Sequence, residues 1–207
     1  MVERDEADAA APGRANARER ILDAALAVAE QVGAAHLTLD AVAAEAGVSK
    51  GGLLYHFASK DALLTAMVDR QIERYQSELE RARRRYPETP GGYVQAHLEA
   101  EIEMRRSGFN APQTIRSFIV AAVNTPELMA RPRRLHLEHL DALRANGPRF
   151  LDALLISLAL DGLFFGEAFE MLALTPDEHQ ALLDMLRQRA AALDQDASAG
   201  RGGSLRG

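Results

Sequence analysis

The sequence predicts an all-α protein in which an N-terminal helix-turn-helix three-helix domain precedes a larger helical domain, and three observations point there. Apolar residues recur at helical spacing from about residue 14 to 194, no run of alternating β-branched residues breaks the pattern, and Gly, Pro, Ser and Thr stand where helices should start and stop. With 207 residues, 47% of them hydrophobic and 26% charged, the chain can bury a sizeable core.

Residues 1–13 and 195–207 are rich in Asp, Ala, Gly and other non-core residues without periodicity, and both are expected to be disordered tails. Between them the spacing divides the chain into a unit over 14–60 and a second over 61–194. The first helix is expected from about Ala15 to Val32, with Ile21, Ala25 and Val28 on one face and Gly33 ending it in a left-handed cap. A second starts after Thr38 and breaks at Gly47-Val48-Ser49, and a short third covers Lys50 to His56. Ser59 caps a long fourth, which Pro87, Pro90, Gly91 and Gly92 end. Further helices are expected over 91–106, 112–123, 126–146, 148–172 and 176–193, and the sequences Thr125-Pro126-Glu127 and Thr175-Pro176-Asp177-Glu178 both read as capped starts.

Composition excludes several functions. No cysteine is present, so disulfides, thiolate catalysis and cysteine zinc sites are ruled out. The start Met1-Val2-Glu3-Arg4-Asp5-Glu6 lacks the features of a secretory signal, and the apolar stretch from Leu151 to Leu174 carries Asp152, Asp161, Glu167 and Glu170, too many charges for a bilayer span. A cytoplasmic protein without membrane contact is expected. The net charge of −6 argues against nucleic acid, but affinity depends on the charge that faces the DNA. The glycine-rich, serine-nucleophile and zinc-protease motifs of common enzymes are absent, so no catalytic residue, metal or cofactor is expected. His136 and His139 share a helical face but have no second ligand pair to complete a metal site, and Glu99, Glu101 and Glu103 fan around their helix as solvated charges.

Residues 38–60 form an apolar-faced helix, a glycine-containing three-residue turn and a second short helix, which is helix-turn-helix spacing. Ala43 lets the helices approach, Gly47 permits a positive φ, and Val48 and Leu53 fill the angle between them. Gly51 and Gly52 lower helix stability by about 1 kcal/mol each relative to alanine, which favours a close backbone approach as the reason for the pair.

From Ile21-Leu22-Asp23-Ala24-Ala25 through Leu39-Asp40-Ala41-Val42-Ala43 to Val48-Ser49-Lys50-Gly51-Gly52-Leu53-Leu54-Tyr55-His56-Phe57 and on to Leu64, the chain resembles the DNA-binding domain of the TetR family. The resemblance implies a ligand-responsive transcriptional regulator, a repressor that binds a palindromic double-stranded operator as a homodimer. It makes Lys50 to His56 the recognition helix, with Ser49, Lys50, Gly51 and Gly52 nearest the base edges. Lys50 can donate to guanine, while Thr38, Tyr55, His56 and Lys60, with Arg14, Arg18 and Arg20, can hold phosphates. Many members carry Thr at the position of Gly52 and an aromatic at that of Leu54, so readout here would lean on a thymine-methyl contact through Leu54 or on DNA shape, unless Leu54 is core.

The sequence Leu158-Ala159-Leu160-Asp161-Gly162-Leu163 resembles the penultimate helix through which the family dimerises. Leu155, Leu158, Gly162 and Phe165, with Leu182, Met185 and Leu186 of the last helix, are the expected interface. His97, Met104, Phe109, Phe118, Ile119 and His136 are the candidate lining of a cavity for a small, mainly apolar effector, although a filled core would use similar residues. The rival readings are an all-helical scaffold and a small all-α enzyme, neither of which binds DNA.

Overall fold

The structure, a computed structural model, describes residues 12–107, 116, 118–119, 121–123 and 125–199, and every regular element among them is helical. α1 (Pro12–Val32) starts on a proline, three residues before the expected Ala15, and ends where Gly33 turns to φ 85°. α2 (Leu39–Ala46) is capped by Thr38, whose hydroxyl accepts from the Ala41 N–H at 3.2 Å. α3 (Lys50–His56) is capped by Ser49, which accepts from the Gly52 N–H at 3.0 Å. Between them Gly47 sits at φ 64°, ψ 37°, and the Val48 N–H returns to the Ala43 carbonyl at 3.0 Å. Capped by Ser59, α4 (Lys60–Arg83) leads out of this unit into the rest of the molecule. α5 (Pro90–Arg106) opens on a Thr89 cap with Pro90 in its first turn; a Cβ on Gly92 would collide with the Pro87 carbonyl, so the tight entry demands glycine.

Beyond α5 three expectations are corrected. The helix read over 126–146 divides: Pro126–Met129 is a 3-10 turn in which Thr125 makes no side-chain cap bond, and α6 (Ala130–Arg144) follows. The tighter turn carries Leu128 inward, where it is buried among residues of the first unit. The helix read over 148–172 is a 3-10 turn at Gly147–Arg149 followed by α7 (Phe150–Ala168). It stops early because Glu170 adopts φ 55°, the Met171 N–H reaches the Gly166 carbonyl at 2.8 Å, and the Glu170 N–H reaches that of Glu167 at 3.1 Å. This is a Schellman motif built on a glutamate, and Leu172 folds back to where a Gly166 side chain would stand. α8 (Pro176–Ala199) begins with the expected capping box, Thr175 and Glu178 exchanging bonds, but continues past residue 193 into the segment read as a tail. Of the helix expected over 112–123, residues 116, 118–119 and 121–123 are helical; the remainder, with Phe109, Ile115, residues 1–11 and 200–207, lies outside the described residues.

Two apolar cores organise the molecule. The first gathers Ile21, Leu22, Ala25, Val42, Leu53, Phe57, Leu63 and Met67 from α1–α4, and also Ala121 and Leu128, with Phe118 packed against them. The second joins α5, α6, α7 and α8 through Val94, Leu98, Leu143, Ile156, Leu160, Leu183 and Leu186. Along the rest of α4, Ala82 meets Ala96 and Ala100 of α5, small residues that bring the two helices close. α4 is also latched to α1: the buried Arg70 guanidinium reaches Asp23 at 2.7 Å and the Leu22 carbonyl at 2.9 Å. From its far side Arg131 of α6 pairs with Asp69 at 2.9 Å.

Gly47→Ala is expected to lower stability by about 1–2 kcal/mol, the cost of a left-handed conformation for an L side chain. A Cβ there has no neighbour within 4 Å, so any loss reports the backbone alone. A shift of the urea midpoint with unchanged slope measures it.

Candidate functional site

Two regions carry chemistry, the face of the helix-turn-helix and a cavity beside α4. On the first, Thr38 and Ser49 both stand at helix N-caps with their hydroxyl protons uncommitted to the cap, so each can still donate outward while its oxygen accepts from the helix. Tyr55 is 70% exposed and Leu54 is exposed too, which removes Leu54 from the core; Leu53 and Phe57 fill that role. His56 is half-buried and meets the Tyr55 ring edge-on. A Cβ on Gly51 would meet nothing within 4 Å, so packing does not require glycine there, whereas one on Gly52 would press on the Ser49 cap at 3.2 Å.

The basic groups of this face are tied down. Lys50 bonds the Asp40 carboxylate at 3.0 Å, both side chains being largely exposed. Lys60, expected on phosphate, donates to the Ala35 carbonyl at 2.6 Å in the DNA-free chain and braces the turn between α1 and α2. Arg20 donates to the Ala46 carbonyl at 3.2 Å, Arg18 lies 5.4 Å over the Phe57 ring, and the Arg14 side chain lies outside the described residues. Over 14–60 the cations Arg14, Arg18, Arg20, Lys50 and Lys60 are matched by Glu19, Asp23, Glu30, Asp40 and Glu45, so the acidic excess of the chain lies elsewhere.

The cavity has an inner part of about 260 Å³, walled by Ile72 and Tyr75 of α4, His97, Glu101 and Met104 of α5, and Leu135 and His139 of α6. An outer part of about 710 Å³ includes Met129, Leu137, Phe164 and Phe165, and the two share Glu101, Pro132, His136 and Asp161. Of the expected lining residues, His97, Met104 and His136 are there. Phe118 is not: it packs on the first core, and Ile119 is half-buried without being part of the wall.

Sequence reasoning missed Tyr75, Asp161 and above all Glu101, taken as a solvated charge. Glu99 pairs with Arg187 at 2.6 Å and Glu103 with Arg106 at 2.9 Å, but Glu101 is turned to the cavity. The signal was present, since Glu101 stands four residues after His97 and three before Met104, on one helical face. Burial pushes its carboxyl up to about 7; the nearby Arg105 draws it down and Asp161 pushes it further up. His97 and His139 lie with ring centroids 4.0 Å apart and planes tilted by 33°, and burial holds both below the usual imidazole range, His139 at about 4. Tyr75 bonds His97 Nδ1 at 2.7 Å, Tyr93 bonds His139 Nδ1 at 2.8 Å, and Ser157 meets His139 Nε2 at 2.9 Å. Among the described residues no cluster of three or more His, Asp or Glu could hold a metal ion.

A third feature is an uncovered apolar stripe. Leu151, Leu155, Leu158, Gly162 and Phe165 follow one face of α7 and are all exposed, Leu158 by 54%. Met185 of α8 is exposed and Leu182 half-buried, but Leu186, expected at the same surface, points into the second core.

Comparisons with known proteins agree with this anatomy. Residues 21–67 match the family described as bacterial regulatory proteins, tetR family, and residues 91–191 match the tetracyclin repressor-like C-terminal domain. The HTH-type transcriptional regulator BetI 2 of Chromohalobacter salexigens is 31% identical over 113 residues, 54% of each chain. The chain spans between 28% and 62% of the length of the curated relatives it matches. A transcriptional regulator from Rhodococcus sp. Rha1 superposes with a TM-score of 0.65 at 22% identity, covering 86% of this chain and 96% of that one. The complex of SmeT with triclosan superposes with a TM-score of 0.56 at 25% identity, covering 89% of this chain and 91% of that one.

The raised carboxyl of Glu101 sets a pH dependence. The folded chain keeps this proton after the unfolded chain has lost it, so stability falls as pH rises from about 4.5 to about 7 and is lowest above that. His97, His136, Arg105, Asp161 and Tyr75 face the group and remain in place in Glu101→Gln. That variant should match the wild type near pH 5 and exceed it by about 1–3 kcal/mol near pH 8, as read from denaturant unfolding. Equal stabilities at both pH values would return Glu101 to solvent.

Proposed function

The chain belongs to the tetR family of bacterial regulatory proteins, which are DNA-binding transcriptional regulators, and from that premise we propose that it is a ligand-responsive repressor, binding a palindromic operator as a homodimer and leaving it when a small molecule enters the cavity beside α4. The observation that carries this reading is the double duty of α4. Its first turn follows the recognition helix through the Ser59 cap, while Ile72 and Tyr75, three and four turns on, are cavity wall.

On the DNA side, α3 enters the major groove with Ser49, Lys50, Gly51 and Gly52 at the base edges. Lys50 exchanges Asp40 for guanine, and the open space at Gly51 admits the DNA. Thr38, Tyr55 and His56 hold phosphates. Lys60 acts at one remove, by fixing the turn that carries Thr38. The exposed stripe of α7, with Met185 and Leu182 of α8, forms the two-fold interface that sets the spacing of the two recognition helices.

On the ligand side, an occupied cavity pushes on α4 from α5 and α6. Arg131, bonded to Asp69 of α4 at 2.9 Å and 3.7 Å from Glu73, passes movements of α6 to α4. A preference of the ligand for the conformation with misplaced recognition helices lowers DNA affinity by the usual coupling of about 1–3 kcal/mol. The triclosan complex of the similar SmeT supports a cavity of this kind.

Selection of fragments from a random DNA pool supplies the operator for two tests. Lys50→Ala should weaken operator binding by about 1–3 kcal/mol and leave random-sequence binding nearly unchanged; equal losses on both would remove Lys50 from base readout. Leu158→Arg places a charge in the middle of the α7 stripe and should give a folded monomer by sedimentation, with operator affinity reduced at least about tenfold. A dimer of normal stability would move the interface elsewhere.

A further inference from the structure

We propose that the cavity between α4, α5, α6 and α7 is built for a cation with an apolar body, a protonated amine or quaternary ammonium compound whose charged end sits between Glu101 and Asp161. The inference rests on the ligand-responsive reading above and specifies the chemical class of the ligand.

The two carboxylates come from different helices, α5 and α7, and both border the inner and the outer part of the cavity, so they stand where the two parts meet. Among the described residues neither has a hydrogen bond or ion pair. Both side chains are half-buried with their oxygens open to the cavity, so two acids face one space with no donor of the protein bonded to either, an arrangement that a bound cation would satisfy. The candidate cation of the chain, Arg105, acts on both acids only through space: its Nη2 donates to the Leu160 carbonyl at 3.0 Å, its guanidinium lies 4.9 Å over the Phe164 ring, and its buried Nε and Nη1 bond neither carboxylate. It is not part of the cavity wall, and one arginine cannot neutralise two acids.

A second observation points to a ligand independently. His97 is 92% buried by its 8% exposure, forms part of the inner wall, and has no partner for Nε2. Tyr75 holds its other nitrogen, which fixes the ring and leaves the free nitrogen for a bound molecule. The remaining wall is hydrocarbon and aromatic, with Ile72, Met104 and Leu135 inside and Phe164 and Phe165 outside. Such a wall suits an apolar body. The raised carboxyl of Glu101 fits the same picture, because an empty acidic site favours the neutral acid and a bound cation would restore its charge.

Three probes with one body and different charge decide the matter: 4-phenylbutylamine, 4-phenylbutan-1-ol and 4-phenylbutyrate, titrated calorimetrically near pH 8 into the purified 207-residue chain. The amine should bind about tenfold or more tighter than the alcohol, and the carboxylate should bind weakest. In Glu101→Gln/Asp161→Asn, near-isosteric changes that spare the packing, the amine should lose that advantage while the alcohol keeps its affinity within about threefold. Equal binding of amine and alcohol to the wild type, or a preference that survives the double variant, overturns the charge assignment and leaves the ligand-responsive reading standing. If none of the three probes binds, the cavity is not a ligand site and both fall.

Discussion

The first three helices cannot close their own core, and much of the molecule follows from that constraint. α1, α2 and α3 together are too short to bury Ile21, Leu22, Val42 and Leu53 without help, and the missing walls come from Leu63, Leu64 and Met67 of α4 and from Ala121 and Leu128 far along the chain. The reader of DNA is therefore not a bead on a string. Its stability depends on residues that belong to the larger domain, and any displacement of α4 or of the turn carrying Leu128 is felt in the packing under the recognition helix.

That dependence gives the cavity its leverage. Arg131 follows the Leu128 turn directly and bonds α4, while Pro132, Leu135 and His136 of the same helix are cavity wall. One face of α6 thus lines the cavity and its beginning touches the shared core. Arg70, on the opposite side of α4, holds Asp23 and the Leu22 carbonyl and so fixes the position of α4 relative to α1. Arg70, Ile72 and Tyr75 all lie near the middle of α4, so the guanidinium that ties α4 to α1 stands within two residues of the cavity wall, and on the proposed reading a shift of that wall reaches the first core at this point.

The helix-turn-helix was legible because its signals are local. Thr38, Gly47, Ser49 and Ser59 act within four residues of where they stand, and each takes the cap or turn its chemistry favours. The end of α7 was not legible, because it is set by Glu170 accepting a left-handed conformation that sequence statistics reserve for glycine or asparagine, beside an ion pair to Arg116 at 2.7 Å. The Thr125 start failed for a similar reason: the demand of the first core for Leu128 turned a helical start into a 3-10 turn. Phe118 was misplaced because an apolar helical stripe says that a residue is inside without saying which of two cores receives it. Glu101 was misread from its neighbours Glu99 and Glu103, although its i−4 and i+3 relations to His97 and Met104 were the better guide.

The tied-down cations of the DNA face resolve the conflict between an acidic chain and a polyanionic partner. A neutral unit with Lys50 and Lys60 occupied by Asp40 and the Ala35 carbonyl gains little from counterion release at long range. In the proposed complex its contacts come from hydroxyls, helix N-termini and one lysine that leaves a carboxylate to bind a base. On the proposed reading such a surface gains little from arbitrary DNA, because Lys50 leaves Asp40 at a small cost that a guanine repays more fully than a phosphate does. If Lys50 reads a base as proposed, the acid that weakens the interface also sharpens its discrimination, since specificity is a difference of affinities and Asp40 lowers the smaller one.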